Sequence, residues 1–355
     1  MKKLRVGLVS NFSNAESGRG VTEYSFRVRS SLSRYNKGIS IRIINAFSLD
    51  SIKQVFSSLA YRISRDKEDT FDVVHFLDPG AIGLRHFIKS KKVVVSIHDT
   101  FVAKPAPVFS NMTAFSRSWL SMLLRPQEWI FRGFWSVPLK YDIKRALKVA
   151  DKVVCVSENT MRDVTDDFRV DKSKCIVIYP IIPERFKKLG VKKDRNKIVI
   201  GHISNHAPNK NVKTLIEAFE KTKNPSLELR LYGKPLQFRT NDKRIRSLGF
   251  IPENDIVEVL NSFDVFVFPS TREGFGMPIM EAKKCRVPVI TYAKAEIPEI
   301  TSRNTLRFRD AGELTDMLDS QAWRSINTKK AYADTFECSS KSVSDKLGNL
   351  YSGLF

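Results

Sequence analysis

Cysteine is scarce in this chain of 355 residues, and the few present do not cluster. Cys155, Cys175, Cys285 and Cys338 stand far apart, with no Cys-x-x-Cys pair and no histidine at zinc spacing. A disulfide-stapled secreted scaffold and a structural zinc site are therefore excluded as organising principles. Each cysteine sits among apolar neighbours or on a helix-like stretch, so buried free thiols in a reducing compartment are expected. Long apolar runs are missing as well: no uncharged stretch approaches the roughly 20 residues of a spanning helix. Met1-Lys2-Lys3 imitates the start of a signal peptide, but Val6-Gly7-Leu8-Val9 is too short for its apolar core and reads as a first buried strand. Neither a fixed-period repeat nor a low-complexity segment is present. With 42% hydrophobic and 28% charged residues, the chain has the balance of a globular protein, which excludes disorder as a description of the whole. At about 150 residues per domain, its length suggests two domains.

Acidic residues are in deficit. Against 60 Lys plus Arg stand 38 Asp plus Glu, a net charge of +22. Such a balance bears on partners and not on fold. It admits nucleic acid, an anionic membrane surface or phosphorylated substrates, and a merely solvated basic surface is the plain alternative. No helix-turn-helix, RNA-recognition or zinc pattern accompanies the charge, which weighs against nucleic acid.

Two series of β-branched apolar runs alternate with helical patterns, the signature of parallel α/β units. The first comprises Leu4–Val9, Ile39–Asn45, Asp72–Phe76, Val93–Ile97 and Lys152–Val156, with helical spacing at Val21–Tyr35, Asp50–Ile63, Leu139–Ala150 and Glu158–Asp167. Near-continuous hydrophobicity suits strands covered on both faces. Ile176–Tyr179 then runs into Pro180, Pro183 and a dense basic stretch around Gly190, read as a linker over 183–197. The second series is Ile198–Ile203, Leu227–Tyr232, Val265–Phe268 and Val287–Thr291, with helices expected at Asn211–Thr222, Asp255–Ser262 and Pro278–Cys285. The predicted architecture is α/β: two Rossmann-like, doubly wound domains facing a cleft, spanning 1–182 and 198–338. A last helix over 339–355 is expected to cross back to the first domain. Ligands of such folds bind at the carboxyl ends of strands.

Asp264 to Ala282 reads D-V-F-V-F-P-S-T-R-E-G-F-G-M-P-I-M-E-A. A buried strand ends at Pro269-Ser270, a glycine-bearing loop follows, and Pro278 stands where a helix begins. The amides of Gly274, Phe275, Gly276 and Met277 then lie at a helix N-terminus, a ready anion site that the two glycines let a ligand approach closely. Glu273 precedes the loop, and Glu281 follows in the helix, where a carboxylate also caps the dipole. This block closely resembles the signature of retaining glycosyltransferases of the GT-B fold, family 4 (glycosyl transferases group 1). Other stretches resemble the family in the same order: Gly18-Arg19-Gly20 after the first strand, V-V-V-S-I-H-D-T over 93–100 and A-D-K-V-V-C-V-S-E-N-T-M-R-D-V over 150–164. Gly201 to Phe219, with its Lys-Asn before a helix, and Leu248-Gly249-Phe250-Ile251 complete the set. The likeness covers nearly the whole chain.

The resemblance implies a metal-independent transfer of a hexose, of the mannosyl or glucosyl type, from a UDP- or GDP-sugar with retention of configuration. It gives Lys210 and the amides of Gly274 to Met277 the charge of the leaving diphosphate. Glu281 receives the ribose hydroxyls, and Gly249, Phe250 and Ile251 the base. Glu273 stands near the donor sugar, as nucleophile or as electrostatic and positioning group, and His98 reaches the sugar ring from the first domain. Gly18 and Gly20 form the glycine-rich loop. Three departures stand out. An arginine common in the family is replaced by His202, with Arg272 or Arg239 as substitute cations; the loop to Lys210 is longer than usual; and Arg286 replaces a glycine after the motif helix.

Trp119, Trp129 and Trp135 crowd into a segment over 101–145, with Arg132 and several more aromatic and basic residues. Aromatics interleaved with cations suit a membrane interface, where Trp sits at headgroup depth and Lys or Arg meets anionic lipid. A lipid-linked or membrane-proximal glycan acceptor, and a cytoplasmic protein peripheral on the inner face of the membrane, are the corresponding expectations. A helical insertion with core aromatics is the ordinary alternative. Across the whole chain, a nucleic-acid-binding or nucleic-acid-modifying protein of this fold and a catalytically silent nucleotide-sugar binder are the competing functional readings.

Overall fold

The structure, a computed structural model, describes residues 3–11, 19–46, 70–100, 140–194, 196–236 and 240–355. Two compact units divide the chain: Met1–Tyr179 together with Ser344–Phe355, and Pro180–Val343. Each is a Rossmann-like α/β unit built on a sheet of six parallel strands.

In the first unit the order is β2-β1-β3-β4-β5-β6, with β1 Leu4–Asn11, β2 Ile39–Ala46, β3 Thr70–Phe76, β4 Lys89–Ile97, β5 Lys152–Cys155 and β6 Cys175–Val177. The carboxyl-terminal halves of β3 and β4 are buried without a break, because parallel strands have helices on both faces. Gly7 in β1 makes room for Phe71, whose ring would lie 3.2 Å from an added Cβ. Helix α1, Arg19–Tyr35, buries Tyr24, Val28 and Leu32 at four-residue spacing. A further helix covers 140–149, and another, Glu158–Phe168, is capped by Ser157, which accepts the Thr160 N–H. The helix expected at Asp50–Ile63 lies outside the described residues.

The second sheet is ordered β12-β11-β10-β7-β8-β9: β7 Ile198–Ser204, β8 Leu227–Gly233, β9 Ile245–Ser247, β10 Val265–Phe268, β11 Val289–Tyr292 and β12 Leu306–Phe308. Helices α2, Val212–Glu220, and α3, Met277–Lys284, follow β7 and β10. The edge strands β6, β9 and β12 were not anticipated. Each has three residues, too few for periodicity to register. Gly201 falls inside β7 and not at its end; the Phe263 ring lies 2.1 Å from where a Cβ would stand, so only glycine fits.

The last helix, α4, is Ser340–Ser352. Its Val343, Leu347 and Tyr351 are fully buried at four-residue spacing, and its residues from Ser344 onward belong to the first unit. Three cysteines are buried free thiols as expected, whereas Cys175, on edge strand β6, is only half-buried.

Candidate functional site

In the second sheet β7 has β8 on one side and β10 on the other, so the chain winds away from β7 in both directions. Open α/β sheets bind ligands beyond the carboxyl ends of the strands at such a switch point. The loop after β7 carries Lys210 and the loop after β10 carries Glu273. Backbone bonds lace these loops together: the Thr271 N–H donates to the Asn209 carbonyl at 2.8 Å, and Asn209 Nδ2 to the Arg272 carbonyl at 3.2 Å. The segment after β11 joins them, with the Glu273 N–H on the Glu296 carbonyl (3.0 Å) and the Glu296 N–H on the Thr271 carbonyl (2.8 Å). Lys210 Nζ is thereby held 2.6 Å from Glu273 Oε1, both side chains largely shielded at 18% and 12% exposure. The same ammonium lies 5.7 Å from the centre of the Phe268 ring.

Gly276 turns this loop into α3. Its φ of +93° is left-handed, and its carbonyl accepts the Ile279 N–H at 3.0 Å. Pro278 lies in the first helical turn, where its missing N–H costs nothing. Gly274, Phe275, Gly276 and Met277 therefore lead directly into a helix N-terminus, with Phe275 buried against the unit. Glu281 is one turn further on and 9% exposed.

Beside β8, the carbonyl of Gly249 (φ +72°) accepts the Gly233 N–H at 2.8 Å. Ile251 is buried, but Phe250 stays 63% exposed, a rigidly based aromatic ring open to a flat partner. Gly233 itself has φ +135°, and a Cβ there would stand 1.6 Å from the Ser204 carbonyl oxygen.

His202 does not serve as a cation. It is fully buried in β7, and both ring nitrogens are engaged within the protein. Nδ1 meets the Val267 carbonyl at 2.9 Å and must donate to it, so Nε2 accepts the Ser204 hydroxyl at 2.8 Å. Burial pushes its pKa down to about 3. A neutral, fully bonded imidazole has no proton to offer a diphosphate. His206, which sequence reasoning passed over, stacks on His202 with ring centres 5.9 Å apart, and burial lowers its pKa also. Arg272 reaches Glu296, Nε to Oε2 at 3.0 Å, and Arg239 lies outside the described residues.

In the first unit His98 follows β4. Its Nε2 donates to the Leu77 carbonyl at 2.9 Å, and Tyr24 packs T-shaped on its ring, centres 4.6 Å apart. Gly20 lies in the first turn of α1. Gly18 and the aromatic-segment residues Trp119, Trp129, Arg132 and Trp135 lie outside the described residues. The described end of that segment is helical; there Tyr141 is 60% exposed, with the Arg145 guanidinium 5.5 Å from its ring centre. Among the described residues no three His, Cys, Asp or Glu side chains gather as metal ligands, and no helix is long and apolar enough to cross a membrane.

Two family profiles match the chain: Glycosyltransferase Family 4 over residues 15–185 and Glycosyl transferases group 1 over residues 182–317. Among curated relatives, O-antigen chain mannosyltransferase B of Escherichia coli is 30% identical over 125 residues, 32% of this chain and 31% of that protein. MMP alpha-(1->4)-mannosyltransferase of Mycolicibacterium hassiacum is 24% identical over 258 residues, 70% of this chain and 59% of that one. The chain thus matches about a third of the length of the first relative and under two thirds of the second. Among solved structures, sucrose-phosphate synthase of Thermosynechococcus elongatus superposes with a TM-score of 0.71 at 16% identity, covering 99% of each chain. Anabaena HepE, in complex with UDP and glucose, superposes with a TM-score of 0.66 at 15% identity, covering 99% of this chain and all of that one. These likenesses establish the GT-B type of fold.

Proposed function

We propose that this protein is a retaining glycosyltransferase that moves a hexose from a UDP- or GDP-sugar to a glycan acceptor without a metal ion. The observation that carries the reading is the pairing of Lys210 with Glu273 at the switch point of the second sheet, next to a glycine turn that opens a helix. A shielded lysine beside such a turn offers positive potential where a leaving diphosphate accumulates charge. The two matched profiles and the mannosyltransferase relatives support the broader class, a glycosyltransferase.

In this reading the glycosidic C–O bond to the diphosphate breaks as Lys210 and the amides of 274–277 take up the developing charge. The departing phosphate oxygen accepts the acceptor's hydroxyl proton, and the acceptor oxygen bonds to the anomeric carbon on the face just vacated. Glu281 holds the ribose hydroxyls and the exposed Phe250 ring faces the base. Glu273, tied to Lys210, orients the sugar and balances its charge electrostatically. His98 offers an imidazole whose Nε2–H is committed to Leu77, leaving Nδ1 for a hydroxyl. The acceptor is a glycan, lipid-linked or close to an anionic membrane, suggested by the basic aromatic segment and the net charge.

The test is nucleoside diphosphate release from a panel of UDP- and GDP-sugars in chelator, comparing wild type with Glu281→Ala. One donor should turn over, and the variant should lose at least tenfold in kcat/KM. Saturable nucleotide binding with no turnover on any glycan acceptor would leave a silent binder. No binding at all would end the assignment of the switch point as the donor site.

A further inference from the structure

Beneath His98 the first unit holds a buried polar chain that the transfer reading does not use. Tyr24, His75, Ser96 and Tyr351 come from α1, β3, β4 and α4, and none is more than 4% exposed. His75 Nδ1 lies 2.7 Å from the Tyr351 hydroxyl and Nε2 lies 2.8 Å from Ser96 Oγ. Ser96 Oγ is 3.4 Å from the Tyr24 hydroxyl, and the Tyr24 ring packs on His98. Burial holds His75 neutral, its pKa down to about 3, so it has one N–H to give. Among the described residues His75 is the hydrogen-bond partner of the Tyr351 hydroxyl, and a buried O–H needs an acceptor, so that hydroxyl is assigned as donor to Nδ1. His75 then donates from Nε2 to Ser96, whose own proton turns toward Tyr24. In this order the protons of Tyr351, His75 and Ser96 each have an acceptor, as buried polar groups favour.

We propose that Tyr351, through His75, Ser96 and Tyr24, is a positioning residue that fixes the orientation of the His98 imidazole. The last helix thereby becomes part of the machinery that sets this side chain. The geometry supports the assignment from both sides of the ring. Leu77 fixes one nitrogen of His98, and the T-shaped contact with the Tyr24 ring restrains rotation about the Cβ–Cγ bond. What remains is to hold Tyr24, and its hydroxyl is held by Ser96. Ser96 and His98 lie two residues apart on one strand and its exit, so a shift of Ser96 is felt at His98 directly. Leu77 in turn is pinned to β1, its N–H 2.8 Å from the Val9 carbonyl, so the ring's other anchor does not depend on the network.

The catalytic consequence rests on the transferase reading, but the positioning does not, and the experiment separates them. In protein labelled with 15N-histidine, long-range proton–nitrogen spectra report each ring's tautomer. His98 should show one Nε2-protonated form in wild type and in Asn349→Ala, an exposed control on the same helix. In Tyr351→Phe the His98 nitrogens should shift or broaden although the protein stays folded by circular dichroism. Tyr24→Leu should do the same more strongly, while Tyr24→Phe, which keeps the ring, should fall between. In the transfer assay Tyr351→Phe should lower kcat about five- to tenfold with the donor KM little changed, and have no further effect in a His98→Ala background. Unmoved His98 signals in folded Tyr351→Phe and Tyr24→Leu overturn the proposal. Moved signals with unchanged turnover uphold the positioning and count against His98 in transfer.

Discussion

At the scale of single residues, Lys210 and Glu273 pose an electrostatic question. At 2.6 Å and mostly shielded, each neutralises the other before any ligand arrives. In the proposed donor site a diphosphate would therefore compete with Glu273 for the ammonium. Glu273→Gln removes that competitor, and UDP or GDP should bind about two- to fivefold more tightly, the range of an ion pair worth up to about 1 kcal/mol. Turnover should fall in the same variant, because on the proposed function Glu273 orients the sugar. Lys210→Ala should lose both, with kcat/KM down by roughly a hundredfold or more. Calorimetry of nucleotide binding beside steady-state kinetics checks the pattern, and unchanged nucleotide affinity in both variants would remove the pair from the donor site.

At the scale of elements, the docking of α4 rests on one glycine. A Cβ on Gly348 would lie 2.3 Å from Asn36 Oδ1 and 2.9 Å from its Cγ. That carboxamide is not free to move aside: its Nδ2 donates to the Ser344 carbonyl at 2.8 Å and to Ser344 Oγ at 2.6 Å. Gly348→Ala should evict Asn36 and break both bonds, destabilising by about 1–3 kcal/mol. Asn36→Ala should cost less, and the double variant should fall short of the sum, because the two changes share one contact. Chemical denaturation of the four proteins measures this coupling, and additive losses would mean that the contact is not shared.

Elements also mark how far the sequence could be read. Among the described residues the nine strands of four residues or more declare themselves, because such apolar runs are local signals, whereas the helix Ala311–Asp319 went unanticipated. The E-G-F-G-M-P block placed its turn and helix within a residue, since proline and glycine carry backbone preferences wherever they stand. What escaped was what only tertiary contact decides. His202 stands where the family commonly has an arginine, and nothing local says that Val267 and Ser204 take both its nitrogens. His75, a lone polar residue in the apolar run of β3, was the available hint of the buried network. Its partner Tyr351 lies 276 residues away, beyond any pattern of spacing.

At the scale of the whole molecule, each unit buries one neutral histidine, His75 in the first and His202 in the second. Both are held by burial at a pKa of about 3, against an ordinary value of 6.5 in the unfolded chain. Between those values the unfolded state binds a proton at each position that the folded state refuses. Stability therefore rises with pH across this window and falls as the solution is acidified below about pH 6.5. Each histidine contributes a slope of up to about 1.4 kcal/mol per pH unit, so the two together approach about 3 kcal/mol per unit. Each unit carries one of the two, so about 1.4 kcal/mol per pH unit acts on it, which over roughly three pH units approaches the lower end of a domain's marginal stability. Urea unfolding followed from pH 7.5 to 4.5 should show the midpoint dropping steeply below pH 6.5. His75→Gln, which keeps a donor and an acceptor in that position but does not titrate, should flatten the acid dependence of the first unit alone. A flat profile through pH 5 would mean that both imidazoles accept protons inside the fold. A protonated His75 would donate from both nitrogens, so the Tyr351 hydroxyl would then accept from Nδ1.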